Sequence, residues 1–325
     1  MTAVVAVDLG KTGCRAALCN GSDGPPRQLH EVPGAPGLAA DGGVAAARAA
    51  VLPLLERERP ARPAAVCAGA AGAAAAPRAA SALACLLLEE LPTDEVAVTG
   101  DAVTAHAGAL GGRTGVERAI GAGSVAVGIG DDGSYARVDG WGPWFGDEGG
   151  GARIGAAGLR APDGRDPDTR LLAAAVERFG AQDRLPVAIG RDGTSARTAP
   201  SFAPDVARLA AAGDTAASAI IRDAATALAE AVLAAARRSG GEALSFAVTG
   251  GLTSLGEPLL GPLRSAPAGF PRPLRPRSPL GRPLDGARLL ALDARAPHEP
   301  HVVRVRRAAP SATVPTSPVP PPAVA

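Results

Sequence analysis

A chain of 325 residues with 46% apolar content and a formal net charge of +1 is long enough to bury one or two sizeable cores. So balanced a charge excludes bulk electrostatic attraction to nucleic acid or to an anionic membrane as its main activity. Four cysteines, Cys14, Cys19, Cys67 and Cys85, fit neither a zinc spacing nor a disulfide framework, and no apolar run reaches membrane-spanning length without Gly, Pro or charge.

The chain opens directly into an apolar strand, Ala3 to Val7, with no basic leader before it, so a soluble cytoplasmic protein is the expectation. A polar, Gly-rich turn from Asp8 to Gly13 leads into a second strand, Cys14 to Cys19. Asn20-Gly21-Ser22-Asp23-Gly24 is a hairpin turn, and Gln28 to Val32 supplies a third strand. Gly42 to Arg59 reads as helix, Ala64 to Ala71 as a buried strand, and Pro77 to Leu88 as an alanine-rich helix. Glu95 to Thr99 is a short strand ending at Gly100-Asp101. Hairpins followed by βαβ units make a mixed sheet with helices on its faces.

The pattern then restarts. Ala102 to Leu110 reads as helix, Val116 to Ile120 and Ser124 to Ile129 as strands, and Tyr135 to Asp139 as a third strand. A helical section runs from about Asp168 to Arg238, with breaks expected near Pro186, near Asp192-Gly193 and from Ala199 to Pro204. Ser245 to Thr249 is a buried strand delivering Gly250-Gly251-Leu252. From about His298 the composition turns to Pro, Ala, Ser and Arg, and an unstructured tail is expected over residues 298–325. Two halves with the same opening imply a duplicated architecture closing on a cleft.

Three glycine turns at strand ends mark that cleft: Gly10-Lys11-Thr12-Gly13, Gly121-Ala122-Gly123-Ser124 and Gly250-Gly251-Leu252. Glycine lets successive backbone N–H groups converge on one anion, while Lys11 and Thr12 add a charge and a hydroxyl. None is a Walker loop, and each singly is also a common structural turn. Lys11 is the single lysine among 33 basic residues, a compact point charge where every other cation is Arg. Asp101 follows a strand and a glycine, which suits either a general base or a helix N-cap. Asp8 closes the first strand beside the first turn, as a magnesium ligand or a turn initiator. His30 and His106 have no partner at ligand spacing and read as structural or surface residues. The segment Asp139 to Gly151 gathers both tryptophans, Trp141 and Trp144, with Phe145, Asp147 and Glu148. A flat apolar surface beside acceptors suits a sugar, whose C–H face stacks while its hydroxyls donate; the plainer alternative is a glycine-rich turn covering a sheet edge.

These residues together resemble the N-acetylglucosamine kinase and BadF/BadG/BcrA/BcrD ATPase family, of the actin, hexokinase and Hsp70-like superfamily, from about Val4 to Leu290. The resemblance implies two actin-like (ribonuclease H-like) α/β lobes around an interlobe nucleotide cleft: residues 1–100 completed by a closing helix at about 285–294, and residues 101–284. It implies ATP and Mg²⁺, with Asp101 as base on a sugar hydroxyl, Asp8 positioning the magnesium, and the three turns, residues 10–13, 121–124 and 250–252, cradling the nucleotide. Gly140, Trp141, Asp147, Glu148 and Gly151 would hold the sugar, N-acetylglucosamine or a related amino sugar or hexose. A homodimer is left open. The chain departs from the family in having Ala122 where a Thr is usual and in lacking an Asn after the third strand. A nucleotide-binding regulator or pseudokinase of the same fold is therefore the alternative. An iron–sulfur ATPase that activates a dehydratase is disfavoured, because all four cysteines precede Asp101.

Overall fold

The computed structural model of the chain describes residues 3–21, 27–56, 62–142, 144–161, 169–190, 195–241 and 244–308. Its first sheet begins as an antiparallel meander of β1 (Ala3–Leu9), β2 (Gly13–Asn20) and β3 (Arg27–Pro33). Helix α1 (Gly43–Glu56) then returns the chain to β4 (Ala65–Ala70), parallel to β1, and α2 (Pro77–Glu90) to β5 (Glu95–Gly100), parallel to β4. Every residue of β4 is buried, as an apolar strand covered on both faces requires.

Helix α3 (Asp101–Leu110) leads into the second sheet, which repeats the meander in β6 (Gly115–Ile120), β7 (Ser124–Ile129) and β8 (Tyr135–Asp139). A helical section follows as α4 (Gly151–Arg160), α5 (Leu171–Phe179), α6 (Leu185–Gly190), α7 (Ser195–Ala211) and α8 (Thr215–Arg238). Strand β9 (Leu244–Thr249) joins parallel to β6, helix α9 (Glu257–Ser265) crosses back, and β10 (Leu274–Arg277) joins parallel to β9. Helix α10 (Pro283–Leu292) and strand β11 (Val302–Arg306) complete the chain order. The sheets read β11-β5-β4-β1-β2-β3 and β10-β9-β6-β7-β8. Without β11 the two orders are the same, so the expected pair of ribonuclease H-like α/β lobes is present.

Between the sheets lies a shared apolar layer of Val4, Ala6 and Cys67 from the first, Val127 and Ile129 from the second, and Val103, Ala107, Ala287 and Leu290 from α3 and α10. The two helices cross with backbone against backbone. A Cβ on Gly108 would overlap the Arg282 carbonyl, and one on Gly286 would overlap the Thr104 carbonyl. Nothing larger than hydrogen fits at either place.

Two sequence expectations need correction. Helix α7 runs unbroken through Pro200 and Pro204, where a break was expected. Phe202, Ala203 and Val206 on it are buried in the core of the second lobe, and that burial outweighs the lost hydrogen bonds. Pro186 does mark a helix start, as the second residue of α6, where no intrahelical donor is needed. The expected break at Asp192-Gly193, the hairpin tip at 22–24 and the side chain of His30 lie outside the described residues.

The second correction concerns the tail. Residues 302–306 form β11, antiparallel to β5 with Val303 opposite Val98. Its β-branched residues pair with an otherwise open sheet edge, a gain the surrounding composition concealed. Arg304 is held between Glu95 and Glu299, donating to Glu299 Oε2 at 2.7 Å. Just before it, His298 is fully buried, with its Nε2 2.9 Å from His106 Nδ1, while His106 Nε2 lies 3.0 Å from the Gly115 carbonyl. His106 is thus structural, and its partner sits in the region expected to be a tail. Residues 309–325 lie outside the described ones.

Gly286→Ala should destabilise the protein by roughly 1–3 kcal/mol, since neither carbonyl at the crossing can move without displacing a helix. Urea denaturation followed by circular dichroism measures it; a midpoint equal to that of the wild type would show that α3 and α10 tolerate separation.

Candidate functional site

The first glycine turn is built between β1 and β2 and braced from behind. Gly10 N–H donates to the Gly13 carbonyl at 2.9 Å, and Ala35 N–H donates to the Gly10 carbonyl at 3.2 Å. A Cβ on Gly34 would overlap that same Gly10 carbonyl, so the segment after β3 lies directly on the turn. Lys11 and Thr12 are exposed at its tip.

The second turn closes by Gly121 N–H donating to the Gly123 carbonyl at 2.8 Å. Gly250, at φ 96°, rests on the Ile120 carbonyl with no room for a Cβ, so the second and third turns abut. Gly251 opens a short 3-10 turn to Leu255, while the Leu252 side chain is buried in the second-lobe core. Leu252 therefore offers a ligand its backbone, not its side chain.

Asp101 is the first residue of α3, with Gly100 in the cap position. Its Oδ1 accepts the Ala102 N–H at 2.9 Å, and its own carbonyl accepts the Thr104 hydroxyl at 2.9 Å. Burial raises the Asp101 pKa, and the Ala102 N–H, Arg137 and Lys11 pull it back. Burial also raises that of Asp8, and the negative charge of Asp101 raises it further; Arg15 opposes this and Glu31 adds to it. Asp8 and Asp101 thus come from different elements but share one electrostatic environment, with Lys11 acting on the second of them.

A third acid belongs to this group. Glu117 on β6 is fully buried and accepts the Thr249 hydroxyl at 2.7 Å on Oε1. Burial pushes its carboxyl up to about 7, with Thr249 lowering it and Asp101 raising it. The sequence reading passed over it, although Glu117-Arg118 is a charged pair inside the apolar strand Val116 to Ile120. Glu117, Thr249, Gly250, Thr253 and Arg282 line a cavity of about 840 Å³.

Arg118, the other member of that pair, organises the segment from Asp139 to Gly151. It is completely buried and donates to Ser124 Oγ at 2.7 Å, to the Glu148 carbonyl at 3.0 Å and to Asp139 Oδ2 at 3.4 Å. Asp139 in turn accepts the N–H groups of Gly140, Asp147 and Glu148. Asp139 and Asp147 both adopt left-handed backbone, at φ 69° and 58°, a conformation Asp tolerates better than most residues. The Asp147 carboxylate lies against Gly123, where a Cβ would strike it, so this segment sits directly over the second turn.

Several expected contacts take another form. The Ser124 hydroxyl donates to the Glu148 carbonyl at 2.7 Å, and Gly151 N–H donates to the Gly121 carbonyl at 2.8 Å; both groups are used in holding turn and loop together. Glu148 is exposed and paired with Arg153. Ala122 is exposed at the turn. Trp141, Trp144 and Phe145 are 65%, 85% and 87% exposed, so they belong to no core. The Arg137 guanidinium lies 4.9 Å from the Trp141 ring centroid and donates to the Gly140 carbonyl. Arg137 thereby links Trp141 to the surroundings of Asp101, a connection its place in the sequence did not signal.

Asp8 and Asp101, both half-buried, with the negative charge of the second raising the first, form an oxygen-only donor pair that fits one hard divalent cation completed by phosphate and water. Among the described residues no three His, Cys, Asp or Glu side chains cluster as a metal site of their own. Cys14, Cys19 and Cys67 are buried and Cys85 is exposed, all as free thiols. No helix among the described residues is long and apolar enough to cross a membrane.

Residues 7–263 match the model of the BadF/BadG/BcrA/BcrD ATPase family. Among solved structures, the chain is similar to a candidate N-acetylglucosamine kinase from Chromobacterium violaceum, at 29% identity and a TM-score of 0.66 over 90% of this chain and 99% of that one. A candidate N-acetylglucosamine kinase from Porphyromonas gingivalis shares the fold at 19% identity and a TM-score of 0.64, over 90% of this chain and 99% of that one. So does a ROK family glucokinase from Streptomyces griseus, solved with glucose and AMPPNP, at 20% identity and a TM-score of 0.57, over 89% of this chain and 99% of that one. Comparison with curated proteins gives no match.

Because Glu117 holds its proton to about pH 7 in the folded chain and to about 4.5 when unfolded, it costs stability increasingly as pH rises between those values. Glu117→Gln removes this cost. The melting temperature of the variant should match the wild type near pH 4.5 and exceed it by at least about 2 °C at pH 8. A difference independent of pH, measured by scanning calorimetry, would place Glu117 in an environment open to water.

Proposed function

The chain belongs to the BadF/BadG/BcrA/BcrD ATPase family, and from that premise we propose that it is a sugar kinase, transferring the γ-phosphoryl group of ATP to a hydroxyl of N-acetylglucosamine or a related amino sugar or hexose. The observation that carries this reading is the meeting of Asp8 and Asp101, each raised by burial and the first further by the second, beside a turn bearing the one lysine. A cavity of about 840 Å³ bordered by the third turn is of a size that accepts a nucleotide.

In this mechanism backbone N–H groups of residues 11–13 and 122–124 face the phosphates, those of Gly10 and Gly121 being used within their turns, and Lys11 neutralises part of the phosphate charge. Gly250 and Gly251 let the nucleoside approach the backbone closely. Asp101 accepts the proton of the acceptor hydroxyl as the O–P bond forms and the bond to the β-phosphate oxygen breaks, ADP leaving with that oxygen. Its raised pKa suits a base that must hold a proton briefly in a dry site. Asp8 is the residue that would hold Mg²⁺, which when bound supplies charge neutralisation at the phosphates. Asp147 and the Trp141 face receive the sugar, with Gly140, Glu148 and Gly151 shaping the same loop. Closing residues 1–100 and 285–294 against residues 101–284 excludes water, so that transfer outruns hydrolysis.

One observation favours a second reading, a nucleotide-binding regulator without turnover. Ala122 carries no hydroxyl and that of Ser124 is directed to the Glu148 carbonyl, so neither side chain of the second turn is free to touch phosphate.

A coupled ADP-release assay over a panel of amino sugars and hexoses separates the two. Sugar-dependent turnover is expected, and Asp101→Asn should lower kcat by about 10²–10⁴-fold while AMPPNP still binds. Nucleotide binding with no turnover on any sugar would establish the regulator. Lys11→Ala should raise the KM for ATP by about tenfold and that for sugar far less.

A further inference from the structure

Glu117 is the acid this reaction leaves without a task. It stands on the central strand of the second sheet, four residues before the glycine turn, and is 2% exposed. Among the described residues it makes no ion pair, and its one hydrogen-bond partner is the Thr249 hydroxyl. A carboxyl buried without a cation costs the fold stability unless something else makes use of it. It also lines the 840 Å³ cavity, together with Ala105, Ala119, Val248 and Thr253, so the space beside it is open to a ligand and its walls are largely apolar.

Resting on the nucleotide reading of that cavity, we propose that Glu117 is a further nucleotide-contacting residue: as the neutral acid it donates its carboxyl proton in a hydrogen bond to an oxygen of the bound nucleotide, while Thr249 holds its other oxygen. The Thr249 hydroxyl donates to Oε1, which leaves the second oxygen to carry the proton. An ionised Glu117 would instead present an acceptor, and a negative charge, to an anionic ligand. Neutral donation is consistent with burial holding its carboxyl near 7 before any nucleotide enters. The charged or titratable groups around it are Asp101 on α3, Tyr135 on β8, and Arg264, Arg277 and Arg282 at the cavity wall from α9, β10 and the approach to α10. Asp101 and the phosphates favour the proton, whereas the arginines oppose it.

Two consequences separate this role from a structural one. Nucleotide binding takes up a proton at Glu117, so affinity weakens as pH rises above about 7, by up to about tenfold per unit. The amide of Glu117→Gln supplies a permanent donor in the same place and removes that dependence. Isothermal titration of the wild type and of Glu117→Gln with AMPPNP and saturating Mg²⁺, at pH 6.5 to 8.5 in buffers of different ionisation heat, reads both. The expected result is a proton uptake in the wild type at pH 7.5 that exceeds that of Glu117→Gln, with the Kd of the variant nearly level across the range. Thr249→Val, which frees Oε1 without touching the carboxyl, should keep the pH dependence and shift its midpoint upward. Equal proton uptake and parallel Kd profiles in wild type and Glu117→Gln would overturn the inference while leaving the kinase reading intact. Absence of AMPPNP binding by the wild type would overturn both.

Discussion

The arrangement of this molecule depends on the crossing of α3 and α10, where Gly108 and Gly286 bring two helix backbones into direct contact. Side chains at either place would push the helices apart, and with them the sheets that each helps to cover. Because Asp101 is the first residue of α3, the crossing also fixes how far that carboxylate stands from Asp8 on the neighbouring β1. A packing requirement between two helices thus sets an electrostatic relation between two acids. The same helices contribute Val103, Ala107, Ala287 and Leu290 to the apolar layer common to both sheets, so relative movement of the sheets must be taken up around this pair.

A second constraint works on the opposite face of β6. Alternation along the strand sends Glu117 toward Thr249 and Arg118 toward Ser124 and Asp139, so two adjacent charges serve different structures. Arg118 is costly to bury, and Asp139 and the carbonyl of Glu148 offset that cost. In return the glycine turn at residues 121–124 and the loop from Asp139 to Gly151 become one unit, with Asp147 closing on Gly123. Loop placement of this kind is specified by buried polar groups, which accept few alternative geometries, and less by the exposed aromatics that make the segment conspicuous in the sequence.

Local chemistry made much of the fold legible. Apolar strands interrupted by Gly, Asn and Asp gave the two meanders, and their recurrence after Asp101 gave the duplication. The placement of the three glycine turns, Asp8 and Asp101 at strand ends was legible because turn residues and strand ends have local signatures. Long-range burial was not legible in the same way. Helix α7 survives two prolines because Phe202 and Val206 are covered by other elements, and β11 forms because β5 offers an edge more than two hundred residues earlier in the chain. The inward use of Ser124 and of Gly151 N–H depends on Arg118 and on the second turn, partners that no spacing along the chain reveals. Glu117 did leave a sign, a charged pair within an otherwise apolar strand, and its meaning emerged only with Thr249 and the cavity beside it.

The order of elements in the first sheet carries a consequence for biosynthesis. Five of its strands are complete by Gly100, yet the sixth is Val302–Arg306, and α10, which covers the same sheet, begins only at Pro283. As the chain emerges from the ribosome, the N-terminal half waits with one sheet border and part of one face unshielded until the whole second half has been translated. Vectorial folding of the first lobe alone is therefore incomplete by design, and β11, made some two hundred residues later, acts as the fastener that ends its exposure to aberrant pairing.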